Sequence, residues 1–307
     1  MLHARSLSCS SLVGAAISLV SSSAAAAACC GDASGLGEKL LPWEVAATTT
    51  RLSAEGRFGS FDGAGAFASA APGAHDAGVT VDQSVAVRVA SIVEMGATFG
   101  GVLTVRTTSD EREVGGGASD IKARARITAY QSAYPWAPNV SFVVGAVIPT
   151  GVAASASTSD LLSDVTGQGD GEAVFGATVD GVLGQLVVAR IDGSVGFFTP
   201  SFVGADRVQR SPRFSCAAFV GPVFDDGTIT AGVTFESEAA PSGAPPDTAG
   251  RMRAELALVG LLDVSRRVSL VMSARAPLPI DHFGQNDVAA VTASFAVRVG
   301  FTRFGGG

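Results

Sequence analysis

Two Asp–His neighbours are the residues of this sequence whose types could support acid–base or metal chemistry. His75 precedes Asp76, and Asp281 precedes His282. Imidazole and carboxylate groups can transfer protons or together hold a metal ion. No serine completes a nucleophilic set with them, and DHFGQND at 281–287 matches no catalytic signature. We therefore predict that the protein is not an enzyme and has no catalytic residue, metal ion or cofactor. A hydrolase or metal site on the loops that carry these two pairs is a minor alternative.

A ladder of cations is the second candidate for chemistry. In SDIKARARITAYQ, residues 119–131, Lys122, Arg124 and Arg126 alternate with small or apolar residues. A period of two indicates an extended strand whose successive side chains point to opposite faces. One face is therefore charged and the other carries no charge. Clusters of cations along a pore favour anions, so this face is our first candidate for a solute path.

The same alternation runs through the rest of the chain. It is clear in the segments 94–106, 171–180, 186–197, 228–236, 266–276 and 291–301, looser in 79–90, 139–148, 212–223 and 251–262, and weakest in 43–53. Short turns are predicted near 92–94, 132–138, 182–185, 224–227 and 263–267. Longer Gly- and Ser-rich loops are predicted over 54–77, 107–118, 150–169, 199–211, 239–249 and 280–287. Short and long connections alternate, which gives twelve strands with both termini on the short-turn side.

Two folds have strands of this kind. A soluble sandwich or lipocalin-like barrel buries the apolar parity, whereas a membrane barrel turns it towards lipid and lines its interior with the polar parity. Strands of about 11–14 residues suit tilted membrane crossings better than a globular domain. Short turns on one side and longer loops on the other are typical of outer-membrane barrels. We predict an all-β fold: a transmembrane antiparallel up-and-down β-barrel of about 12 strands, with short periplasmic turns and longer extracellular loops.

Composition and the N-terminus agree with a secreted membrane protein. The chain of 307 residues is 47% hydrophobic and 16% charged, with a net charge of −7, which argues against nucleic acid as a partner. Residues 1–28 read as a signal peptide, because an apolar run is followed by small residues suited to cleavage. We predict a short periplasmic segment at 29–42, the outer-membrane barrel at 43–304 and a glycine tail at 305–307. Lipidation of Cys29 remains an alternative.

Four segments carry a resemblance to a known family. They are GGGASDIKARARITAY (115–130), IPTG (148–151), TGQGDGEAVFGATVD (166–180) and SVGFFTP (194–200). In this order they resemble Gram-negative outer-membrane barrels of the type that transports compounds in phenol-degradation meta-pathways. The resemblance implies localisation in the cell outer membrane and partners that are outer-membrane lipid, the barrel-assembly machinery and a small-molecule solute. It also implies transport of small, often hydrophobic, molecules.

The predicted interior is rich in arginine, and aromatic residues gather near the strand ends. The expected lumen and solute path contain Arg88, Arg106, Lys122, Arg124, Arg126, Arg190, Arg251, Arg253, Arg275 and Arg298. The expected aromatic girdle contains Trp43, Tyr134, Trp136, Phe197, Phe235 and Phe301. We predict an outer-membrane channel for small solutes with an Arg-rich polar lumen. One alternative is that opposite charges pair and fill the barrel, and another is a structural or surface-display barrel without transport.

Overall fold

A computed structural model describes the chain from residue 39 to residue 302, apart from 109, 132–136, 185, 204–205 and 243–249. The segments 1–28 and 305–307, Cys29, Tyr134 and Trp136 therefore lie outside the described residues. Within the described part, twelve long strands carry most of the chain. They are β1 (Glu44–Phe61), β2 (His75–Ala90), β3 (Val93–Thr107), β4 (Ile121–Tyr130), β5 (Asn139–Ile148), β6 (Glu172–Leu183), β7 (Val187–Phe198), β8 (Arg213–Phe224), β9 (Gly227–Glu238), β10 (Arg251–Asp263), β11 (Val268–Pro277) and β12 (Asp287–Thr302).

The strands close into an antiparallel barrel. Each strand pairs with its neighbours in sequence, and β1 pairs with β12 over the registers from Glu44–Thr302 to Phe61–Asp287. Closure leaves no free sheet edge, which is the condition for a sheet in a lipid bilayer, where no water is present to satisfy backbone groups. The predicted twelve-strand up-and-down barrel is confirmed.

The inner and outer faces have the polarity of a membrane barrel. On the outer face Leu52, Val81 and Phe99 are about half exposed. On the inner face Thr49, Thr104 and Thr178 are buried, with 4%, 6% and 1% of their surface exposed. Because side chains alternate along each strand, a one-residue shift would turn every strand inside out. The apolar parity therefore faces outwards, as the alternation predicts.

Connections are short at one end and long at the other, with two differences from the prediction. The first strand extends to Phe61, beyond the predicted range of 43–53, and its loop is correspondingly shorter. The predicted loop 107–118 is mostly strand, because Arg112–Ala118 pairs with β3 from Gly101–Ala118 to Thr107–Arg112. Its three glycines suggested a loop, but they lie in the sheet, where residues 163–166 pack against Gly115 and Gly117.

A bulge separates Arg112–Ala118 from β4. Before it, Gly101 pairs with Ala118, and after it Thr98 pairs with Lys122, so the register shifts by one residue across Ser119 and Asp120. Such a bulge reverses which parity faces inwards. Gly115 therefore faces inwards on one side of the bulge and Lys122 on the other.

Several short elements lie in the long connections at one end of the barrel. They are the short strands Phe67–Ser69, Ser201–Val203, Asp206–Val208 and Gly284–Gln285, and a single 3-10 turn at Ala154–Ala156. No helix long and apolar enough to cross a membrane occurs among the described residues.

Candidate functional site: the barrel interior

The predicted lumen residues lie on the inner parity of their strands, but most of them form ion pairs. Arg190 Nε lies 2.8 Å from Asp192 Oδ2, and Arg253 Nε lies 2.6 Å from Asp287 Oδ2. Five further lumen arginines form ion pairs, which are Arg88–Glu94, Arg106–Asp76, Arg251–Asp287, Arg275–Glu255 and Arg298–Glu44. Carboxylates therefore offset much of the positive charge, and these side chains do not form a bare ring of arginines.

The three cations on the inner face of β4 differ in how deeply they are buried. Lys122 is exposed, Arg124 is half-buried and Arg126 is only 2% exposed. Arg126 interacts electrostatically with Arg124 and Arg190 and with the carboxylates of Glu94 and Asp180. Lys122 is therefore accessible to solvent, whereas Arg126 is enclosed by protein.

Residues 39–43 fold into the short-turn end. Lys39 Nζ lies 3.3 Å from Asp180 on β6, and the backbone N–H of Leu40 donates to Glu94 Oε2 at 3.1 Å. Leu40 is 2% exposed and packs against Ala47 and Ala86 on the inner wall. Arg88 donates to the carbonyl oxygens of residues 41 and 42, at 2.9 and 2.7 Å. This segment therefore narrows the interior at that end.

The loop of residues 149–171 narrows the opposite end. Asp120, in the bulge before β4, accepts hydrogen bonds from the backbone N–H groups of Thr150 at 3.1 Å, Gly151 at 3.0 Å and Gln168 at 2.8 Å. A Cβ atom at Gly115 would lie 2.6 Å from the carbonyl carbon of Ser163. Only glycine leaves room for the loop here, so the glycine run of the sequence has a packing role.

Contacts along the same loop hold it in shape. Arg106 donates to the carbonyl oxygen of Leu161 at 2.6 Å, and Glu113 accepts from the Leu161 N–H at 3.0 Å and from the Ser159 hydroxyl. Asp164 accepts from the hydroxyl of Ser157 and from the Thr158 N–H. Both hydrogen bonds, and above all the one from the Ser157 hydroxyl, hold the pKa of Asp164 below its ordinary value. Glu113 also belongs to a carboxylate trio with Glu111 and Asp160, which lies at the rim.

An apolar cluster lines part of the interior, and it was missed at the sequence level. It includes Val188 on β7, Phe219 on β8, Val259 on β10 and Val271 on β11, each no more than 4% exposed. All four lie on the parity that is polar elsewhere in their strands. The looser alternation of 212–223 and 251–262 was the available signal, because apolar residues on both faces blur a period of two.

A cation–aromatic cluster at the long-loop end was also missed. The guanidinium carbon of Arg210 lies 3.8 Å from the ring centre of Phe198, and Arg210 Nε donates to Glu238 Oε1 at 2.8 Å. Burial disfavours the charged form of Arg210, but its hydrogen bond to Glu238 and the charges of Glu238 and Asp170 outweigh burial and raise its pKa. Arg210 stands in a predicted loop, so the alternation gave no indication of it.

Two solved structures of bacterial membrane proteins are similar to this barrel. The crystal structure of the COG4313 outer-membrane channel from Pseudomonas putida F1 is similar, with a TM-score of 0.67 and 11% sequence identity over 85% of this chain and 97% of that one. The fold is that of a Gram-negative outer-membrane β-barrel. The β domain of the Bordetella autotransporter BrkA is also similar, with a TM-score of 0.50 and 12% identity over 84% of this chain and all of that one. No family model and no curated protein matches the sequence.

The resemblance drawn from the sequence is therefore confirmed for the fold. Four of the predicted girdle residues are described, and the three that stand on strands, Phe197, Phe235 and Phe301, lie on the outer parity. Trp43 and Phe301, near the short-turn end, are 54% and 49% exposed, while Phe197 and Phe235, near the other end, are 48% and 38% exposed. Aromatic side chains in two such bands are typical of the membrane–water interfaces.

The two Asp–His pairs have separate surroundings. The first and last long loops do meet, since the N–H of residue 282 donates to the carbonyl oxygen of Gly65 at 2.7 Å. Asp76, however, pairs with Arg57 and Arg106, while Asp281 accepts a hydrogen bond from the N–H of Phe67 at 2.9 Å. Among the described residues, no metal-ligating group of three includes either histidine.

Proposed function

We propose that this barrel is an outer-membrane channel for small solutes. The observation that carries the proposal is the polarity of the barrel: outside the apolar cluster, charged and hydroxyl side chains predominate on the inner parity, while large apolar side chains occupy the outer one. A barrel that served only as a membrane anchor would not require charged strands on its inside. Twelve strands also lie between the eight that leave no channel and the sixteen of wide porins.

The proposed solute path follows the inward charges that water reaches. Lys122 is exposed, and the side chains of Arg251 and Arg275 are 39% and 35% exposed. The path passes the loop of residues 149–171, which we call the inward loop, at one end of the barrel and residues 39–43 at the other. The channel is therefore narrow or gated. We expect it to admit small polar or anionic solutes, with the apolar cluster around Phe219 available to less polar ones. Export by the signal peptide 1–28 and insertion by the barrel-assembly machinery complete the proposal.

Conductance in planar bilayers tests this function. Purified, refolded protein should give small discrete conductance steps, and Lys122→Glu should shift the reversal potential in a salt gradient towards cation selectivity. Arg266→Glu provides the control, because it makes the same change of charge at a residue outside the proposed path. Arg266 lies exposed in the turn between β10 and β11. If neither conductance nor solute-driven liposome swelling exceeds that of protein-free membranes, the channel hypothesis is wrong.

A further inference from the structure

One amide side chain stands on the outer face of the barrel, in the middle of a strand. Gln83 lies at the centre of β2, on the same parity as Val81 and Val85, which are 50% and 41% exposed. Away from the strand ends, the outer parity of the twelve strands otherwise carries apolar residues, glycines, one cysteine and the hydroxyl groups of Thr48 and Thr50. Among the described residues, no other amide and no charged side chain lies on that part of the outer face.

Hydrogen bonds within the wall hold this outer polar patch, which we define as Thr48, Thr50 and Gln83. Thr50 stands opposite Gln83 in register, and its hydroxyl donates to Gln83 Oε1 at 2.6 Å. Gln83 Nε2 donates to Thr48 Oγ1 at 2.5 Å, and Thr48 donates to the carbonyl oxygen of Ser84 at 3.2 Å. These bonds lower the cost of turning polar groups towards lipid, because hydrocarbon chains offer no hydrogen-bond partner.

The amide of Gln83 keeps hydrogen-bonding capacity that the wall does not use. An amide oxygen can accept two hydrogen bonds, and an amide nitrogen can donate two. Among the described residues, Gln83 Oε1 accepts only the bond from Thr50. The second contact of Nε2 is with the carbonyl oxygen of Ser84 at 3.4 Å, which is long for a hydrogen bond. One acceptor and one weakly used donor of the same amide therefore remain on a surface that faces lipid.

The side chains around the outer polar patch leave it accessible to an opposing surface. Val297 and Val299 of β12 pair with Thr50 and Thr48 of β1, so they lie beside the patch on one side. Further valines flank the amide along β2. Valine is shorter than glutamine, and a β-sheet surface of such residues can pack against another sheet. The patch thus has the arrangement of a small interface, with a polar contact at the centre and apolar side chains around it.

We propose that two copies of this chain associate in the membrane through this face, with their Gln83 amides paired across a two-fold axis. In this pair each Nε2 donates to the Oε1 of the other copy, so the free acceptor and the weakly used donor are both satisfied. A two-fold interface brings the same surface of each copy together, and a group with one donor and one acceptor to spare is complementary to itself. The hydrogen bonds of Gln83 to Thr48 and Thr50 are kept.

Sedimentation equilibrium of the refolded protein in density-matched detergent micelles tests the association. The parent should sediment as a dimer at a high ratio of protein to detergent and dissociate as detergent is added. Gln83→Leu keeps most of the side-chain volume and removes the amide. It should raise the dissociation constant roughly tenfold, because each dimer loses two hydrogen bonds between chains in an apolar environment.

Gln285→Leu is the matched control, because it removes an amide at the long-loop end, where Gln285 Nε2 donates to the carbonyl oxygen of Gly63 at 2.6 Å. It should associate like the parent, and a mobility shift on heating in SDS shows that each variant is a folded barrel.

A parent that sediments as a monomer at every ratio, or a Gln83→Leu variant that associates as tightly as the parent, would overturn the proposal. A monomer that retains a lipid or another protein, and loses it in Gln83→Leu, would assign the patch to that partner and reject the second copy. The test does not involve transport, so association and channel function succeed or fail separately.

Discussion

Arg298, near the end of the last strand, pairs with Glu44, the first residue of the first strand. Arg298 Nη1 lies 2.8 Å from Glu44 Oε1, a second hydrogen bond joins Nη2 to Oε2, and both residues are at least 95% buried. Glu44 also accepts a hydrogen bond from the backbone N–H of Leu41 at 2.7 Å. The pair therefore joins the two strands at which the barrel closes and positions the segment that precedes them.

Removing one partner of this pair should destabilise the barrel strongly. Glu44→Ala leaves the buried guanidinium of Arg298 without its carboxylate, which costs about 3–5 kcal/mol in comparable cases. Unfolding by urea in detergent, followed by gel mobility with and without heating, measures the change. Glu55→Ala is the control, because the Glu55–Arg57 pair is about one-third exposed and should contribute about 0–1 kcal/mol. Equal losses in the two variants would contradict the prediction.

Asp120 should determine the position of the inward loop. Asp120→Ala removes the acceptor of three backbone N–H groups, each worth about 1–3 kcal/mol if left unsatisfied, so residues 149–171 should leave the wall. We expect faster cleavage of this loop by added protease and a larger conductance, with the barrel still resistant to SDS. Asp62→Ala is the matched control, because Asp62 accepts from the N–H groups of Ala64 and Ala66 in a different loop. A loop that stays protected in Asp120→Ala would refute this role.

The same loop should loosen only in strong acid. The hydrogen bond from Ser157 lowers the pKa of Asp164, so this carboxylate stabilises the loop above its ordinary pKa of about 3.9. That contribution is lost as the pH falls through the lowered pKa. Pepsin cleavage within 149–171, measured from pH 5 to pH 2, should therefore rise late in the titration.

Ser157→Ala should move the rise in pepsin cleavage to higher pH, because the pKa of Asp164 returns towards its ordinary value. Asp225→Asn, in the turn between β8 and β9, should leave the profile unchanged. An identical profile in the parent and in Ser157→Ala would show that this hydrogen bond does not control the loop.

Two phenylalanines should differ in their effect on stability according to the face they occupy. Phe219→Ala opens a cavity in the interior cluster, where the side chain is 4% exposed, and should cost about 3–5 kcal/mol. Phe99 is 51% exposed on the outer face, where lipid or detergent refills the space, so Phe99→Ala should cost much less. Urea unfolding in one detergent compares the two. A larger loss from Phe99→Ala would mean that the interior cluster is loosely packed.

Most of the fold followed from the sequence, and the exceptions have identifiable causes. Period-two alternation fixed the strands, because backbone geometry sends successive side chains to opposite faces whatever the neighbours are. The segment Arg112–Ala118 was mistaken for a loop, since its glycines carry no parity. The first and last long loops meet because β1 and β12 must pair to close the barrel.

What the sequence by itself determined is which side chains share a face: Lys122, Arg124 and Arg126 point inwards together because they are two residues apart. Only the tertiary structure decided what each of them meets there. Lys122 is exposed, whereas Arg126 is enclosed by Arg190, Glu94 and Asp180, which come from three other strands. Charge compensation and burial depend on distances across the barrel between residues far apart in sequence. Those distances are set by strand pairing, by the inward loop and by residues 39–43, and periodicity along one strand carries no information about them.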